Sequence, residues 1–404
     1  MRGSTFVQTT KQTKLQMILI ILLLILIGAN LRTALTAVPP ILNQISDTFH
    51  LPAWFLGSLT TIPLLCFAII SPFVNRLVHR FGMMPVITAA LIGLGIGSFV
   101  RIYSFPALLI GTLLAGSSIA ILNVLSPAVV GKYFPSKIGV MTSVYTLSMT
   151  VFSALAAGLS SPISGVLGWQ STLQWLAIFP VITLAVMFFN QSVQKKPSAN
   201  TIQHSGATRQ TKPVWKQPLA WSLTVFMGLQ SLLFYTILTW VPSIFVSHGM
   251  SQNTASLLLG LLQLSSLPMA YLIPNLAGRR EKQAPLMLMI FLLFFFGLGG
   301  LMIETPSMVI AVISCILLGF ATNAAFSMSM ILFSLKTKDP YETSAVSGMA
   351  QSIGYLAASV GPMMAGFLHS QFNSWTIALV CLIVIVVIMT GAGLMIDRQQ
   401  HVFN

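Results

Sequence analysis

The sequence predicts an all-α integral membrane protein with twelve transmembrane helices, arranged as two pseudo-symmetric six-helix bundles. Of its 404 residues, 55% are hydrophobic and only 6% are charged, whereas a soluble domain carries about 25% charged residues. A surface with so few charges must face lipid over most of its area. Apolar runs also recur along the whole chain, each near the roughly 20 residues that a helix needs to cross a bilayer.

Twelve apolar segments are separated by short polar gaps. Because they continue to the C-terminus, a cleaved leader peptide does not explain the composition. The three cysteines all lie inside apolar runs, so neither a disulfide nor a thiolate metal site is predicted. The segments cover residues 17–40, 51–74, 84–101, 106–130, 138–161, 168–190, 218–246, 253–277, 284–303, 307–335, 343–369 and 374–396.

A long polar segment divides the chain into halves. Residues 191–217 include five Lys and Arg residues and show no apolar periodicity, which predicts a flexible linker. The N-terminal six-helix half then covers residues 1–190, and the C-terminal half covers residues 218–404.

The basic residues are distributed on one side of the predicted membrane. A net charge of +14 would suit nucleic acid, but the Lys and Arg residues lie in the short gaps between spans, a pattern that sets membrane orientation. All of them except Arg32 and Arg101 fall in alternate gaps, the linker or the tails. We therefore expect no nucleic-acid partner, a multi-pass location in the cytoplasmic (inner) cell membrane, and cytoplasmic termini and linker.

The two halves repeat at a constant offset of 203 residues. The segment Thr36-Ala-Val-Pro-Pro-Ile41 matches Thr239-Trp-Val-Pro-Ser-Ile244, and Leu56-Gly57 matches Leu259-Gly260. One offset shared by several helix pairs indicates a duplicated six-helix unit. Parallel repeats of this kind place the solute near the midplane, where the halves meet.

Arg32 is the first candidate for solute binding. A cation within a spanning helix costs at least about 2.5–3.5 kcal/mol, and no span is predicted to hold a carboxylate that would pair with it. Arg32 either faces an aqueous cavity and binds an anionic or electron-rich solute through its fork of donors, or bonds helix carbonyls as a structural residue. Asn30 and Thr36 would complete a polar patch or make helix-packing hydrogen bonds.

The repeat places Tyr235 opposite Arg32, across the predicted cavity. The alternative is that Tyr235 is an aromatic residue of the membrane interface. Trp240 is either a gate residue or part of the aromatic belt. The other candidates are polar side chains in mid-span. A buried amide without a partner costs about 1–3 kcal/mol, so either a cavity or another helix must satisfy each one. These candidates are Asn123, Tyr145, Gln230, Gln263, Gln351 and Tyr355.

Several segments resemble one family of transporters. Asn30-Leu-Arg-Thr-Ala-Leu-Thr36, Gly228-Leu-Gln-Ser-Leu-Leu-Phe-Tyr235 and Ser347-Gly-Met-Ala-Gln-Ser-Ile-Gly-Tyr355 are similar to helices 1, 7 and 11 of the CynX/NimT group of the major facilitator superfamily. The resemblance implies the major facilitator fold and a cyanate-like anion or nitroimidazole-like heterocycle as solute. It does not distinguish import from export.

The predicted cytoplasmic gate departs from the superfamily pattern. The usual loop after helix 2 carries an Asp at the position of Asn75, so a charge-paired latch is in doubt and a hydrogen-bonded one through Asn75 and Arg76 is the alternative. The other gate candidates are Arg80, Arg279 and Arg280.

The residue inventory also limits the mechanism. No intramembrane carboxylate is predicted, which argues against a side-chain proton relay at the midplane and against cationic drugs. We expect a secondary transporter, not an enzyme, that works by alternating access as a monomer in the lipid bilayer, without cofactor or metal. Efflux of drugs or metabolites and a non-transporting membrane sensor are the alternatives.

Overall fold

A computed structural model describes residues 14–134, 138–193, 214–337, 340–399 and 402. Within these ranges the regular structure is helical, with two short 3₁₀ turns at Pro39–Ile41 and Val214–Lys216. The first bundle contains α1 (Lys14–Thr36), α2 (Leu42–Phe49), α3 (Ala53–Leu56), α4 (Ser58–Phe81), α5 (Met83–Val100), α6 (Phe105–Tyr133), α7 (Ile138–Trp175) and α8 (Ile178–Val193).

The second bundle repeats this plan after residues 194–213, where most of the predicted linker lies outside the described chain. Its helices are α9 (Pro218–Ser247), α10 (Gln252–Ser265), α11 (Leu267–Gly278), α12 (Ala284–Leu301), α13 (Met308–Leu335), α14 (Pro340–Ala358), α15 (Val360–Phe372) and α16 (Thr376–Asp397).

These helices account for twelve spans. Among the described residues, nine helical stretches are long and apolar enough to cross a membrane. One of them, Val144–Phe189, has 46 residues, about twice what one crossing needs. It is interrupted at Gly168, whose φ of 80° suits glycine and strains other residues, so it contains two spans. The shorter apolar helix Ser58–Val74 and the pair α14 and α15 supply the other two.

Two spans of the second bundle are each divided into two helices. Ser266 separates α10 from α11, and Ser359 separates α14 from α15. Pro268 lies just after the first break, and a proline has no N–H with which to continue a helical ladder. Both separating residues keep helical dihedral angles, so each pair of helices forms one interrupted span.

The hydrophobic core lies within each bundle. In the first, α1 packs against α6, α7 and α8; in the second, α9 packs against α13, α14, α15 and α16. The bundles meet along two seams, α7 with α10 and α4 with α14 and α15. We call the face where α1 and α9 begin the linker side, and the opposite face the far side.

The seam between α7 and α10 is closed on the far side. The Ser256 hydroxyl donates to the Ala157 carbonyl oxygen at 2.5 Å, and Ser161 Oγ donates to Asn253 Oδ1 at 3.0 Å. One turn further along α10, Gly260 lies directly on Gly158, and a Cβ at Gly260 would lie 3.0 Å from the Gly158 Cα. Backbone contact of this kind leaves no passage for a solute.

The second seam is closed on the same side. The Thr61 hydroxyl donates to the Ser359 carbonyl oxygen at 2.7 Å, and Thr239 donates to Thr60 at 2.9 Å. A Cβ at Gly57 would lie 2.6 Å from the Pro362 carbonyl oxygen. The far side is therefore sealed by neutral hydrogen bonds and glycine contacts along both seams.

Candidate functional site

A cavity of about 470 Å³ lies between the two bundles. It extends toward the linker side, because its lining includes Thr146, Pro274 and Ile331, which lie in the linker-side parts of α7, α11 and α13. The described residues that line it include one charged side chain, Arg32. The rest of the wall is aromatic, aliphatic, hydroxyl or amide.

Arg32 reaches the cavity from α1, one turn before that helix ends. Its guanidinium carbon lies 4.9 Å from the centre of the Phe234 ring and 5.8 Å from the centre of the Tyr235 ring. Aromatic faces attract cations in this geometry. Its Nη1 atom is buried and has no hydrogen-bond partner among the described residues, so this donor is unsatisfied in the described conformation.

Aromatic rings surround this guanidinium on the side of the second bundle. The rings of Phe234 and Tyr235 are 5.0 Å apart, and those of Tyr235 and Tyr355 are 6.5 Å apart, both edge to face. The Tyr355 ring also meets Phe67 of α4 at 5.7 Å. The site thus combines one cation with an aromatic wall.

Amide side chains supply the remaining polarity. Gln263 Nε2 donates to Ser153 Oγ at 2.6 Å, which joins α10 to α7 within the cavity wall. Asn323 donates to Ser266 Oγ at 3.3 Å and accepts from Ser327 Oγ at 3.0 Å. These groups are polar but neutral. Among the described lining residues, the Arg32 charge therefore has no counter-ion.

The structure brings part of the predicted set together. The candidates that line the cavity are Arg32, Gln230, Tyr235, Gln263 and Tyr355. The candidates outside its lining are Asn30, Thr36, Asn123, Tyr145, Trp240 and Gln351. A binding role for either group stays a prediction.

Four of the six candidates outside the lining make hydrogen bonds within their own helix or to a neighbouring helix. Asn30 Nδ2 donates at 2.7 Å both to the Leu26 carbonyl oxygen and to Thr183 Oγ1 of α8. Thr36 donates to the Arg32 carbonyl oxygen at 3.1 Å.

Trp240 and Gln351 are engaged in the second bundle. Trp240 Nε1 donates to the Pro362 carbonyl oxygen at 2.8 Å, and Gln351 donates to Ser347 Oγ at 2.9 Å. Tyr145 is half-buried, and Asn123 is exposed on α6.

Several lining residues were not predicted from the sequence. Phe234 and Ser231 were overlooked, although they share a helical face with Gln230 and Tyr235 and a spacing of four residues would have found Phe234. Ser153 and Ser266 were overlooked because a serine within an apolar span commonly bonds its own helix.

The predicted gate residues are apart from the cavity lining. Arg76 and Arg80 are exposed, with their guanidinium carbons 5.7 Å from the Phe73 ring centre and 5.2 Å from the Phe81 ring centre. Arg279 and Arg280 are exposed after α11. Asn75 belongs to α4, but its side chain is outside the described part of the chain. The gate stays a prediction.

Comparison with known proteins settles the family. The family model of the Major Facilitator Superfamily matches residues 20–362. The 2-nitroimidazole transporter of Escherichia coli is 32% identical over 381 residues, which cover 94% of this chain and 95% of that protein. The chain belongs to the CynX/NimT group of the major facilitator superfamily. The resemblance that the motifs indicated is thereby confirmed.

Two further relatives agree with this assignment. An uncharacterized transporter of Bacillus subtilis, YycB, is 36% identical over 395 residues, covering 97% of this chain and 96% of that protein. The cyanate transport protein CynX of Escherichia coli is 24% identical and covers 91% of this chain and 95% of its own length. The chain described here is therefore a secondary transporter and not an enzyme.

The fold is also shared with solved structures. A bacterial homolog of the human lysosomal transporter Spinster superposes with a TM-score of 0.78 at 15% sequence identity, covering 96% of this chain and 98% of the other. The predicted major facilitator fold is therefore confirmed.

Proposed function

We propose that this transporter moves a small anionic or polar solute across the cytoplasmic membrane by alternating access. The observation that carries the proposal is the guanidinium of Arg32 in the cavity between the bundles, with a buried Nη1 that lacks a partner among the described residues. A buried donor of this kind is satisfied when a solute brings an acceptor to it.

Two solute classes fit this group. A cyanate-like anion would pair with the charge, and a nitroimidazole-like heterocycle would direct its nitro oxygens at the guanidinium while its ring lies among Phe234, Tyr235 and Tyr355. Relatives named for each class are similar to this chain.

Alternating access is supported by the asymmetry of closure. Both seams are sealed on the far side, and the cavity extends toward the linker side. Because basic residues concentrate in the linker-side gaps, we assign that side to the cytoplasm, so the described conformation faces inward. One chain contains the whole cavity, and we infer that it functions as a monomer.

The first test is uptake by proteoliposomes that contain purified protein. Radiolabelled 2-nitroimidazole and cyanate are supplied to wild type, Arg32→Gln and Arg32→Lys. Hydrogen bonds to charged groups contribute about 1.5–3 kcal/mol, so kcat/KM should fall at least about tenfold in Arg32→Gln. Arg32→Lys should recover only part of the loss, because an ammonium group lacks the planar fork.

The matched control is Arg398→Gln, which removes an exposed arginine after α16 and should transport as wild type does. Saturable uptake at the wild-type rate by Arg32→Gln would refute the binding role of Arg32.

A further inference from the structure

The side-chain amide of Gln230 has a defined orientation. Its Nε2 lies 2.7 Å from Ser231 Oγ and 3.2 Å from Met227 Sδ. A thioether sulfur carries no hydrogen and acts only as a weak acceptor. The atom that faces the sulfur must therefore be the NH₂ group, because an oxygen there would place two acceptors against each other.

This orientation leaves the Gln230 carbonyl oxygen for the cavity. Gln230 is part of the cavity lining, and no donor among the described residues reaches its Oε1. A carbonyl oxygen accepts hydrogen bonds and cannot donate them. A solute group that binds at this point of the wall must therefore be an N–H or O–H donor.

The acceptor lies close to the donor of the site. Gln230 precedes Phe234 by four residues on α9, which is one helical turn or about 6 Å along the axis. Phe234 is the ring against which the Arg32 guanidinium rests. A solute that contacts both groups must carry an acceptor and a donor within the length of one small substituted ring.

Resting on the proposed function, we propose that Gln230 determines specificity by accepting a hydrogen bond from the solute. The preferred solute is then a planar azole with a ring N–H and an electron-rich substituent: the substituent accepts from Arg32, and the N–H donates to Gln230 Oε1. A linear anion such as cyanate offers only acceptors and places negative charge against the carbonyl oxygen. N-alkylation of the azole removes the donor and adds bulk at the same position.

The test compares 2-nitroimidazole with its N1-methyl derivative in proteoliposomes, at a pH below the pKa of the azole so that the N–H is retained. Wild type should prefer the N–H compound in kcat/KM by about tenfold, the effect of one hydrogen bond. Gln230→Met keeps the length of the side chain and removes the acceptor, so the ratio should fall to about one.

Gln371→Met is the matched control, because Gln371 is exposed at the far-side end of α15; its ratio should equal that of wild type. Equal uptake of both azoles by wild type, or an unchanged preference in Gln230→Met, overturns the role of Gln230. If Gln230→Met does not fold, loss of the preference in Gln230→Leu replaces it as the test.

Failure of this inference is distinguishable from failure of the proposed function. Wild type that moves cyanate but neither azole overturns the inference and leaves the proposed function standing. Wild type that moves none of the three solutes overturns both.

Discussion

At the scale of single residues, Arg101 is the second basic residue that departs from the one-sided charge distribution. Its side chain is only 2% exposed, and Nη1 donates to the Ala34 carbonyl oxygen at 3.4 Å. That carbonyl belongs to the last turn of α1, where helix carbonyls lack intrahelical donors. Nε and Nη2 have no partners among the described residues. Arg101 thus holds the end of the helix that carries Arg32.

We predict that Arg101→Met leaves the melting temperature unchanged or raises it, and lowers transport. A buried, incompletely paired charge costs desolvation energy. Replacing it with an apolar side chain of similar length is neutral or raises the free energy of unfolding by about 1–4 kcal/mol. The end of α1 would lose its tether. Thermal unfolding in detergent and initial uptake rates check both parts; a fall in melting temperature of several degrees would contradict the first.

At the scale of helices, the predicted bounds agree well with the observed ones where a span is straight. The segments predicted at 218–246 and 284–303 correspond to Pro218–Ser247 and Ala284–Leu301. The break at Ser266 was not predicted. Apolar periodicity indicates that a helix exists, but it does not show where the helix is interrupted. Both interrupted spans border the cavity or the opposite bundle.

The contact of α7 with α10 gives a prediction at this scale. In Gly260→Ala the added methyl group would lie 3.0 Å from the Ala154 carbonyl oxygen, closer than carbon and oxygen normally approach. The far-side seal should weaken, and the protein should spend more time open to the far side. Reactivity of a single cysteine placed at Ser161 toward an impermeant maleimide, in a background without the native cysteines, should rise.

Gly299→Ala on α12 provides the control, since a Cβ there meets nothing within 4 Å. Because alanine favours a helix over glycine by about 1 kcal/mol, this variant should be as stable as wild type or more so. Equal reactivity of Ser161→Cys with and without Gly260→Ala would exclude the glycine contact as part of the seal.

At the scale of the whole molecule, the proposed alternating access requires the far-side seal to open and close. Gln252 of the second bundle illustrates it: its Nε2 donates to the Pro40 carbonyl oxygen, and its Oε1 accepts from Asn43 Nδ2 at 3.4 Å. Every such contact joins opposite bundles, so all of them must break together when the far side opens.

We predict that a thiol bridge between Ser161→Cys and Ser256→Cys arrests transport. The Ser161 amide nitrogen lies 3.4 Å from Ser256 Oγ across the seam, so cysteines at the two positions are within reach of a short thiol cross-linker. Uptake should fall to background on bridging and return on reduction. Continued transport by the bridged protein would show that this seam does not open.

The pair Gln44→Cys and Ser164→Cys is the control. Their native side chains are bonded at 2.9 Å within the first bundle, also on the far side. A bridge there moves with one rigid body and should not stop uptake.

The amino-acid sequence by itself determined the class of this protein. Its low charge, its apolar runs and its offset of 203 residues specify a duplicated membrane bundle, because lipid accepts few other surfaces and a duplicated unit folds in the same way twice. The sequence also singled out Arg32, since an intramembrane cation without a carboxylate requires an explanation.

Only the tertiary structure decided which mid-span polar residues face the cavity. Gln263 and Gln351 look alike in sequence, yet Gln263 lines the cavity and bonds Ser153, 110 positions away in the chain, while Gln351 bonds Ser347 in its own helix. A buried amide needs a partner, and a neighbouring helix satisfies it as well as a solute does. Which of the two is present depends on contacts between distant segments, and these exist only once the bundles have packed.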